Sequence, residues 1–285
     1  MKTVREVFLQ GKTRLQRLPG VNAALEARIL LLKSAALSEQ EFWASQDRPL
    51  PEAAESRYWL FVRKRLDRWP LAYLTGEKEF WSRPYLVFPG VFIPRPETEL
   101  LVERVRALSA GKPEIIVEIG TGSGAIAVSL AKELPQARII ATDISLRALK
   151  AAALNAARHD ALRVAFTQGD LFAPLKARSL EGRVHLLVSN PPYVSEADWR
   201  LCAPEIREHE PKRALVPGTT GLEFIRRLAR GSGEFLRPGG RFVLEIGDKQ
   251  AESVLSLLDR SWEDIRVSND LNGIPRVVEC RKPRS

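Results

Sequence analysis

The spacing of apolar positions divides the chain into three stretches. Over residues 1–75 it follows a helical period, with "ALEARILLLKSAAL" placing Leu25, Ile29 and Leu32 on one face. "LSEQEFWASQD" begins with Ser38 and carries Glu41 three residues later, the pattern of a capping box. "LPEAAESRYWLFVRKRLDRWP" has one proline near its start and another just past its end, as a bounded helix does. Three or four short helices are predicted here, with no catalytic constellation among them. Residues 76–96, "GEKEFWSRPYLVFPGVFIPRP", switch to aromatic and β-branched residues, and Pro89 and Gly90 mark a turn. A β-hairpin linker is predicted.

"ETELLVERVRAL" reads as a helix with Leu100, Leu101 and Val105 inward. From Ile115 onward, strand-like and helix-like runs alternate. "EIIVEIG", "ARIIATD", "RVAFTQGD", "RVHLLVSN" and "GRFVLEIG" are the strands. "SGAIAVSLAKEL", "SLRALKAAALNAARH" and "TGLEFIRRLARGSGEFL" are the helices between them. After a helix near 249–259 come "EDIRVSND" and "PRVVECRK", separated only by "LNGI". The alternation predicts an α/β fold with a mostly parallel sheet covered on both faces. The short last connection predicts an antiparallel hairpin at one edge.

Composition narrows the setting. Of 285 residues, 45% are hydrophobic and 28% charged, as in an ordinary globular protein. No apolar run approaches the roughly 20 residues of a membrane span, and the first twenty residues lack the apolar core of a signal peptide. Cys202 and Cys280 have no close-spaced partner, which excludes a disulfide scaffold and a cysteine-based zinc site. His159, His185 and His209 show no metal-ligand spacing. A cytoplasmic, reduced, metal-free protein is expected. Net charge is +9, and residues 1–75, with 13 basic and 8 acidic, carry more of it per residue than the rest. That balance favours an acidic or nucleic-acid-bearing partner, and equally fits a solvated basic surface.

Two loops carry the candidate chemistry. "EIGTGSGAIA" places Gly120, Thr121, Gly122, Ser123 and Gly124 between a strand and its helix, where open parallel sheets bind ligands. Glycines there permit a tight turn and close approach of a ligand. The spacing also fits a dinucleotide fingerprint. Asp143, at the end of the next strand, is placed to accept ribose hydroxyls. Glu118, just before the glycines, suits a cationic ligand better than a diphosphate, which points to S-adenosylmethionine. Asp170, in "QGDLF", is a second acidic residue at a strand end. It is either an acceptor for the adenine amino group or a turn former.

The other loop is "SNPPYV". Pro191 biases Asn190 to extended geometry, and Pro191 and Pro192 donate no hydrogen bonds. Main-chain carbonyls and the Asn190 side-chain oxygen are then free to accept both hydrogens of a planar NH2 group, with Tyr193 flat against its bearer. Two fixed acceptors stabilise positive charge developing on nitrogen and align it for in-line methyl transfer. The plain alternative is a strand stop with a tyrosine plug. The motif alone leaves glutamine and adenine open as the bearer of the NH2 group.

"NPPY" after "EIGTGSGAIA", with "FIPRPETELLVE", "EHEPKRAL", "GTTGLEFIRRL", "LEIGDKQ" and "DLNGIPRVV", resembles the PrmC/HemK family of class I S-adenosylmethionine-dependent methyltransferases. The resemblance implies a seven-stranded Rossmann-like sheet with a reversed last strand. It divides the chain into a helical substrate-docking domain (1–75), a β-hairpin linker (76–96) and a methyltransferase domain (97–285). It implies methylation of the glutamine in the Gly-Gly-Gln loop of class I peptide chain release factors by a monomer without stable nucleic-acid binding. Gly120 to Gly124 and Asp143 would bind cofactor, joined by Glu118, Asp170 and Asn190, and Leu171 would approach adenine. Asn190, Pro191, Pro192 and Tyr193 would receive the glutamine. Pro94, Arg95 and Pro96 would lie near the entrance, with Glu97 capping the next helix. His185 departs from the family's usual aspartate and reads as packing, as does His209. Alternatives are a glutamine methyltransferase for a large-subunit ribosomal protein and a DNA adenine methyltransferase. The latter lacks an insertion for reading or flipping bases. A noncatalytic binding module or an NAD-dependent dehydrogenase leaves Asn190 to Tyr193 unexplained.

Overall fold

A computed structural model describes residues 1–109, 114–258 and 261–284. The chain divides into two compact units, residues 1–77 with 203–209, and residues 78–202 with 210–285.

The first unit is helical: α1 (Val4–Leu15), α2 (Ala23–Ala35), α3 (Glu39–Ala44), α4 (Glu52–Leu66) and α5 (Leu71–Thr75). The expected capping box of Ser38 and Glu41 starts α3, and a second one, Thr3 with Glu6, starts α1. Residues 1–75 hold five helices rather than three or four. The proline that ends α4's sequence pattern, Pro70, also starts the single-turn α5. Leu15, Leu30, Leu31, Phe42 and Tyr58 are fully buried in the core of this unit.

From Lys78 the second unit carries the hairpin of β1 (Glu77–Phe80) and β2 (Arg83–Leu86). Its turn falls at Trp81 and Ser82, both at positive φ, and not at Pro89 and Gly90, which form a later turn. A two-residue hairpin turn normally announces itself with asparagine or glycine, so this one is invisible in the sequence. Then follow α6 (Glu99–Leu108), β3 (Ile115–Ile119), α7 (Ala125–Glu133), β4 (Arg138–Asp143), α8 (Leu146–Arg158), β5 (Ala165–Gln168), α9 (Ala173–Lys176), β6 (Val184–Ser189) and α10 (Glu196–Leu201). Helix α11 (Pro204–His209) belongs to the first unit. The chain closes with α12 (Glu223–Phe235), β7 (Leu236–Glu245), α13 (Ala251–Leu255), β8 (Glu263–Asn269) and β9 (Pro275–Arg281). The predicted helix near 249–259 is thus α13, and its last position lies outside the described residues. Helices α9, α10 and α11 are too short to leave a periodic signal.

Seven strands form one sheet in the order β5-β4-β3-β6-β7-β9-β8. The first five are parallel, and β9 runs antiparallel to both neighbours. The order reverses between β4-β3 and β6, so the crevice at the carboxyl ends of β3 and β6 is where an open sheet binds its ligand. Apolar clusters cover the two faces, one around Ile116, Ile139 and Val188, the other around Val117, Leu187 and Phe242.

One buried polar side chain ties the hairpin to this crevice. Asn155 on α8 is fully buried. Its Oδ1 accepts from the Leu86 N–H at 2.7 Å, and its Nδ2 donates to the carbonyls of Leu86 (3.0 Å) and Ser123 (2.8 Å). Asn155→Ala leaves three main-chain groups without partners. Urea unfolding should show a loss of about 3 kcal/mol, at roughly 1 kcal/mol for each orphaned group; a loss below about 1 kcal/mol would mean that water replaces the amide.

Candidate active site

The loop after β3 is built to leave space. Gly120, Gly122 and Gly124 all take positive φ. At Gly124, which precedes α7, a Cβ would lie 2.8 Å from that of Ala152 on α8, so glycine is the residue that lets the two helices meet. The N–H groups of Gly120 and Thr121 both donate to the Thr142 carbonyl at 2.9 Å, folding the loop onto β4. Asp143 ends β4. Its Oδ2 accepts from the Gly122 N–H at 2.9 Å and its Oδ1 from the Ser145 N–H at 2.8 Å. Burial raises the Asp143 pKa, against which these amides and the Arg213 charge work.

Glu118 points up from β3 under that loop. It is fully buried. Its Oε2 accepts from the Thr121 hydroxyl at 2.6 Å and from the Ala127 N–H at 3.1 Å, while Oε1 has no partner. Burial pushes its pKa up to about 7, with Asp143 adding to the rise. An orphan carboxylate oxygen beside a cavity suits a ligand that brings its own donor or positive charge.

The "NPPY" turn ends β6 alongside. Asn190 Nδ2 donates to the Thr98 hydroxyl oxygen at 3.0 Å. That leaves its Oδ1, with the Pro191 carbonyl, as acceptors without partners among the described residues. Tyr193 is held from both ends. Its hydroxyl donates to Glu245 Oε1 at 3.1 Å, and its carbonyl accepts from Gln250 Nε2 at 2.9 Å. Gln250 is fixed in turn by the Gly247 N–H. A side chain at Gly221 would stand 2.4 Å from the Tyr193 carbonyl, so the backbones pass there only because residue 221 is glycine. Burial, then Glu245, raises the Tyr193 pKa far above the usual phenol range, so the hydroxyl stays a donor.

A cavity of about 420 Å³ joins the two loops, a volume within the range of small-molecule sites. Glu118, Gly120, Thr121, Gly122, Ser123, Asp143, Asp170, Leu171, Asn190, Pro191, Pro192 and Tyr193 line it together. Gly124 does not; its place is in helix packing. Leu171 is at φ 47° and buried. Asp170 is half exposed and paired with Arg227, another lining residue. Pro94 lines the wall, whereas Arg95 turns away to pair with buried Glu210 and lies over the Phe92 ring. Glu97 does not cap α6. It lies in the 3-10 turn Pro96–Thr98, and neither that turn nor α6 has a side-chain cap. His185 accepts the Ile115 N–H on Nδ1 at 3.1 Å, at the far end of β6. His209, in the first unit, bonds the Asp67 carbonyl and packs on Trp69. Sequence reasoning missed Thr98, Glu245, Phe92 and Arg213. All four lie inside quoted motifs, but nothing in their spacing reveals the contact.

The sheet, with its crevice between β3 and β6 and the donor-poor turn beside it, is that of a class I S-adenosylmethionine-dependent methyltransferase. A crystal structure of a methyltransferase from Pyrococcus furiosus has the same fold (TM-score 0.52, 18% identity, 77% of this chain and 98% of that one). Family models match in two places, the Methyltransferase small domain over residues 89–220 and the PrmC N-terminal domain over 6–76. A release factor glutamine methyltransferase of Koribacter versatilis is 38% identical over 99% of this chain and 100% of its own length. One of Geobacter sulfurreducens is 40% identical over 98% and 96%. The chain belongs to the release factor glutamine methyltransferase family. Among the described residues no group of His, Cys, Asp and Glu is arranged to hold a metal, and no helix is long and apolar enough to cross a membrane.

The raised pKa of Glu118 sets a sign for the ligand-free protein. The folded state keeps a proton that the unfolded chain releases above about pH 4.5. The stabilisation is complete below that pH and is lost as pH rises through about 7. Glu118→Gln removes this share, so stability measured by urea unfolding should fall less between pH 5 and pH 8 than in the wild type. An equal fall in both proteins would show that Glu118 is ionised throughout.

Proposed function

We propose that this enzyme transfers a methyl group from S-adenosylmethionine to the side-chain amide nitrogen of the glutamine in the Gly-Gly-Gln motif of class I peptide chain release factors. The observation that carries the reading is the pair of unclaimed acceptors, Asn190 Oδ1 and the Pro191 carbonyl, beside the glycine loop. The names of the full-length relatives support the choice of protein substrate.

The residues fit the cofactor by an observation of this structure. Glu118 Oε1 is a buried oxygen with no partner at the cavity, placed for a ligand that carries cationic groups. We assign Gly120, Thr121, Gly122 and Ser123 to its amino-acid end, Asp143 to the ribose, and Leu171 with Asp170 to the adenine. When bound, S-adenosylmethionine supplies a methyl group made electrophilic by the sulfonium.

The chain's own part is positioning. Asn190 Oδ1 and the Pro191 carbonyl each take one hydrogen of the glutamine NH2, and the Tyr193 ring lies along the amide plane. An amide nitrogen is a weak nucleophile because its lone pair is delocalised. As the N–C bond forms, nitrogen gains positive charge, and the two acceptors are already aimed at its hydrogens. The surplus proton leaves after transfer, so no strong base is needed beforehand. We extend the reading to a monomeric, cytoplasmic enzyme without stable nucleic-acid binding; for the monomer, the support is that residues of one chain line the cavity.

Incubation of the enzyme with labelled S-adenosylmethionine and a purified release factor should place one methyl group on the Gly-Gly-Gln glutamine, read by peptide mass spectrometry. Labelling of a ribosomal protein or of duplex DNA instead would overturn the assignment. Asn190→Ala should lower turnover by about a hundredfold or more, as losing one aimed hydrogen-bonding group does elsewhere. Cofactor affinity should stay within about threefold, since the lost acceptor acts on the amide alone.

A further inference from the structure

Arg227 reaches the cavity from α12 and takes no part in the clamp. Its Nη2 donates to Asp170 Oδ2 at 2.5 Å, and both residues line the cavity. Among the described residues, Asp170 Oδ1 has no hydrogen-bond partner, and neither do the remaining N–H groups of the guanidinium. Phe224, one turn earlier on α12, lines the same wall, with the Arg227 guanidinium 6.0 Å from its ring centre.

The loop that carries Asp170 and the helix that carries Arg227 are fixed against each other. The Gly169 N–H donates to the Asp143 carbonyl at 3.0 Å, which holds the loop onto the end of β4. The Phe172 ring stacks on Phe235 of α12, with centroids 5.1 Å apart and planes within 7°. A Cβ at Gly231 would lie 2.3 Å from the Phe172 ring, so glycine lets α12 come this close. Asp170 and Arg227 therefore meet at a set spacing, although both are half exposed. An exposed ion pair adds little stability by itself. This one leaves an acceptor and several donors unused, side by side, at a cavity wall.

We propose that Arg227 is a further cofactor-binding residue, and that with Asp170 it reads the edge of the adenine: Asp170 Oδ1 accepts a hydrogen of the amino group, and a free Arg227 N–H donates to a ring nitrogen beside that group. The inference rests on the assignment of adenine to Leu171 and Asp170. The adenine edge carries one donor, the amino group, flanked by two acceptors, N1 and N7. A carboxylate only accepts and a guanidinium only donates, so the pair matches that pattern and its members cannot exchange roles. Hypoxanthine, with an oxygen in place of the amino group, sets an acceptor against the carboxylate. The pair is neutral as a whole, so the donor comes without a net charge opposing a sulfonium ligand.

The test is calorimetric and needs no methyl transfer. It measures Kd for S-adenosylhomocysteine and for its 1-deaza, 7-deaza and inosine analogues in the wild type, Arg227→Met and Asp170→Asn. Both side chains are half exposed, so neither substitution opens the core. The wild type should bind the inosine analogue and one of the two deaza analogues about tenfold more weakly than the parent, the lower end for a hydrogen bond to a charged group. Arg227→Met should bind the parent about tenfold more weakly, and that deaza analogue as well as the parent. A merely structural role would not remove that preference. Asp170→Asn should lose the preference against the inosine analogue. A wild type without a deaza preference would overturn the inference, as would an Arg227→Met that keeps the wild-type affinity or preference. So would tighter binding of the parent by Arg227→Met, which would mark the ion pair as a mask that adenine has to break. If Asp170→Asn also treats the parent and the inosine analogue as the wild type does, adenine lies elsewhere and the assignment beneath the inference fails with it. A wild type that binds none of the four ligands overturns both.

Discussion

The buried hydroxyl of Ser189 donates to the Ile119 carbonyl at 2.7 Å, and the site depends on that bond. It joins the last residues of β3 and β6, the two strands between which the sheet order reverses. Parallel pairing sets Glu118 beside Val188, so the next residues on each side are Ile119 with Ser189, and then Gly120 with Asn190. A slip of one residue would point Glu118 into the opposite face and carry the clamp away from the glycine loop. The two halves of the reaction, methyl donor and acceptor, are brought together by strand register before any loop residue contributes. The apolar clusters on both faces make that register costly to change.

The carboxylates of the second unit fall into two kinds. Glu279 is buried but takes both Arg104 Nε and Nη2, and Glu210 is buried but takes Arg95 and the Ile93 N–H. Such pairs satisfy their charges and stitch elements together, with little net gain over apolar packing. Glu118 and Glu245 are equally buried, yet each keeps an oxygen without a partner and no cation at bonding distance. Both are driven toward neutrality at physiological pH. They stand on either side of the clamp, one at the cavity wall under the glycine loop, the other behind Tyr193. Retaining an unpaired acid in a dry site costs stability, and that cost clusters where function needs a tunable charge.

Much of this was legible in the chain. The strand and helix alternation gave the parallel sheet because buried parallel strands read as continuous apolar runs between helical periods. The glycine loop, Asp143 and the proline pair announced themselves because they need particular backbone conformations. What stayed hidden is carried by contacts distant in sequence. Thr98 reads as an ordinary residue in "RPETEL", and only the fold brings its hydroxyl to Asn190, 92 positions on. Asn155 sits among alanines on the buried face of α8; an amide in that place needs partners, but the sequence does not say which. The hairpin turn at Trp81 and Ser82 was misplaced because its residues lack the glycine or asparagine that positive φ usually selects.

The same logic explains why motifs far from the "NPPY" turn belong with it. Gln250 of "LEIGDKQ" bonds the Tyr193 carbonyl, Gly221 of "GTTGLEFIRRL" makes room for that carbonyl, and Glu245 takes the Tyr193 hydroxyl. Three separate parts of the chain thus hold one ring and one amide, counting Thr98 with them. Pro191 and Pro192 fix φ without offering donors, so the turn itself cannot close on its own acceptors. A clamp held this way has little freedom left to lose when a glutamine enters, and the energy of the two new hydrogen bonds goes into alignment and charge stabilisation instead of ordering the protein. Rigidity supplied from behind, by residues that never meet the substrate, is what allows two weak neutral acceptors to activate an amide nitrogen.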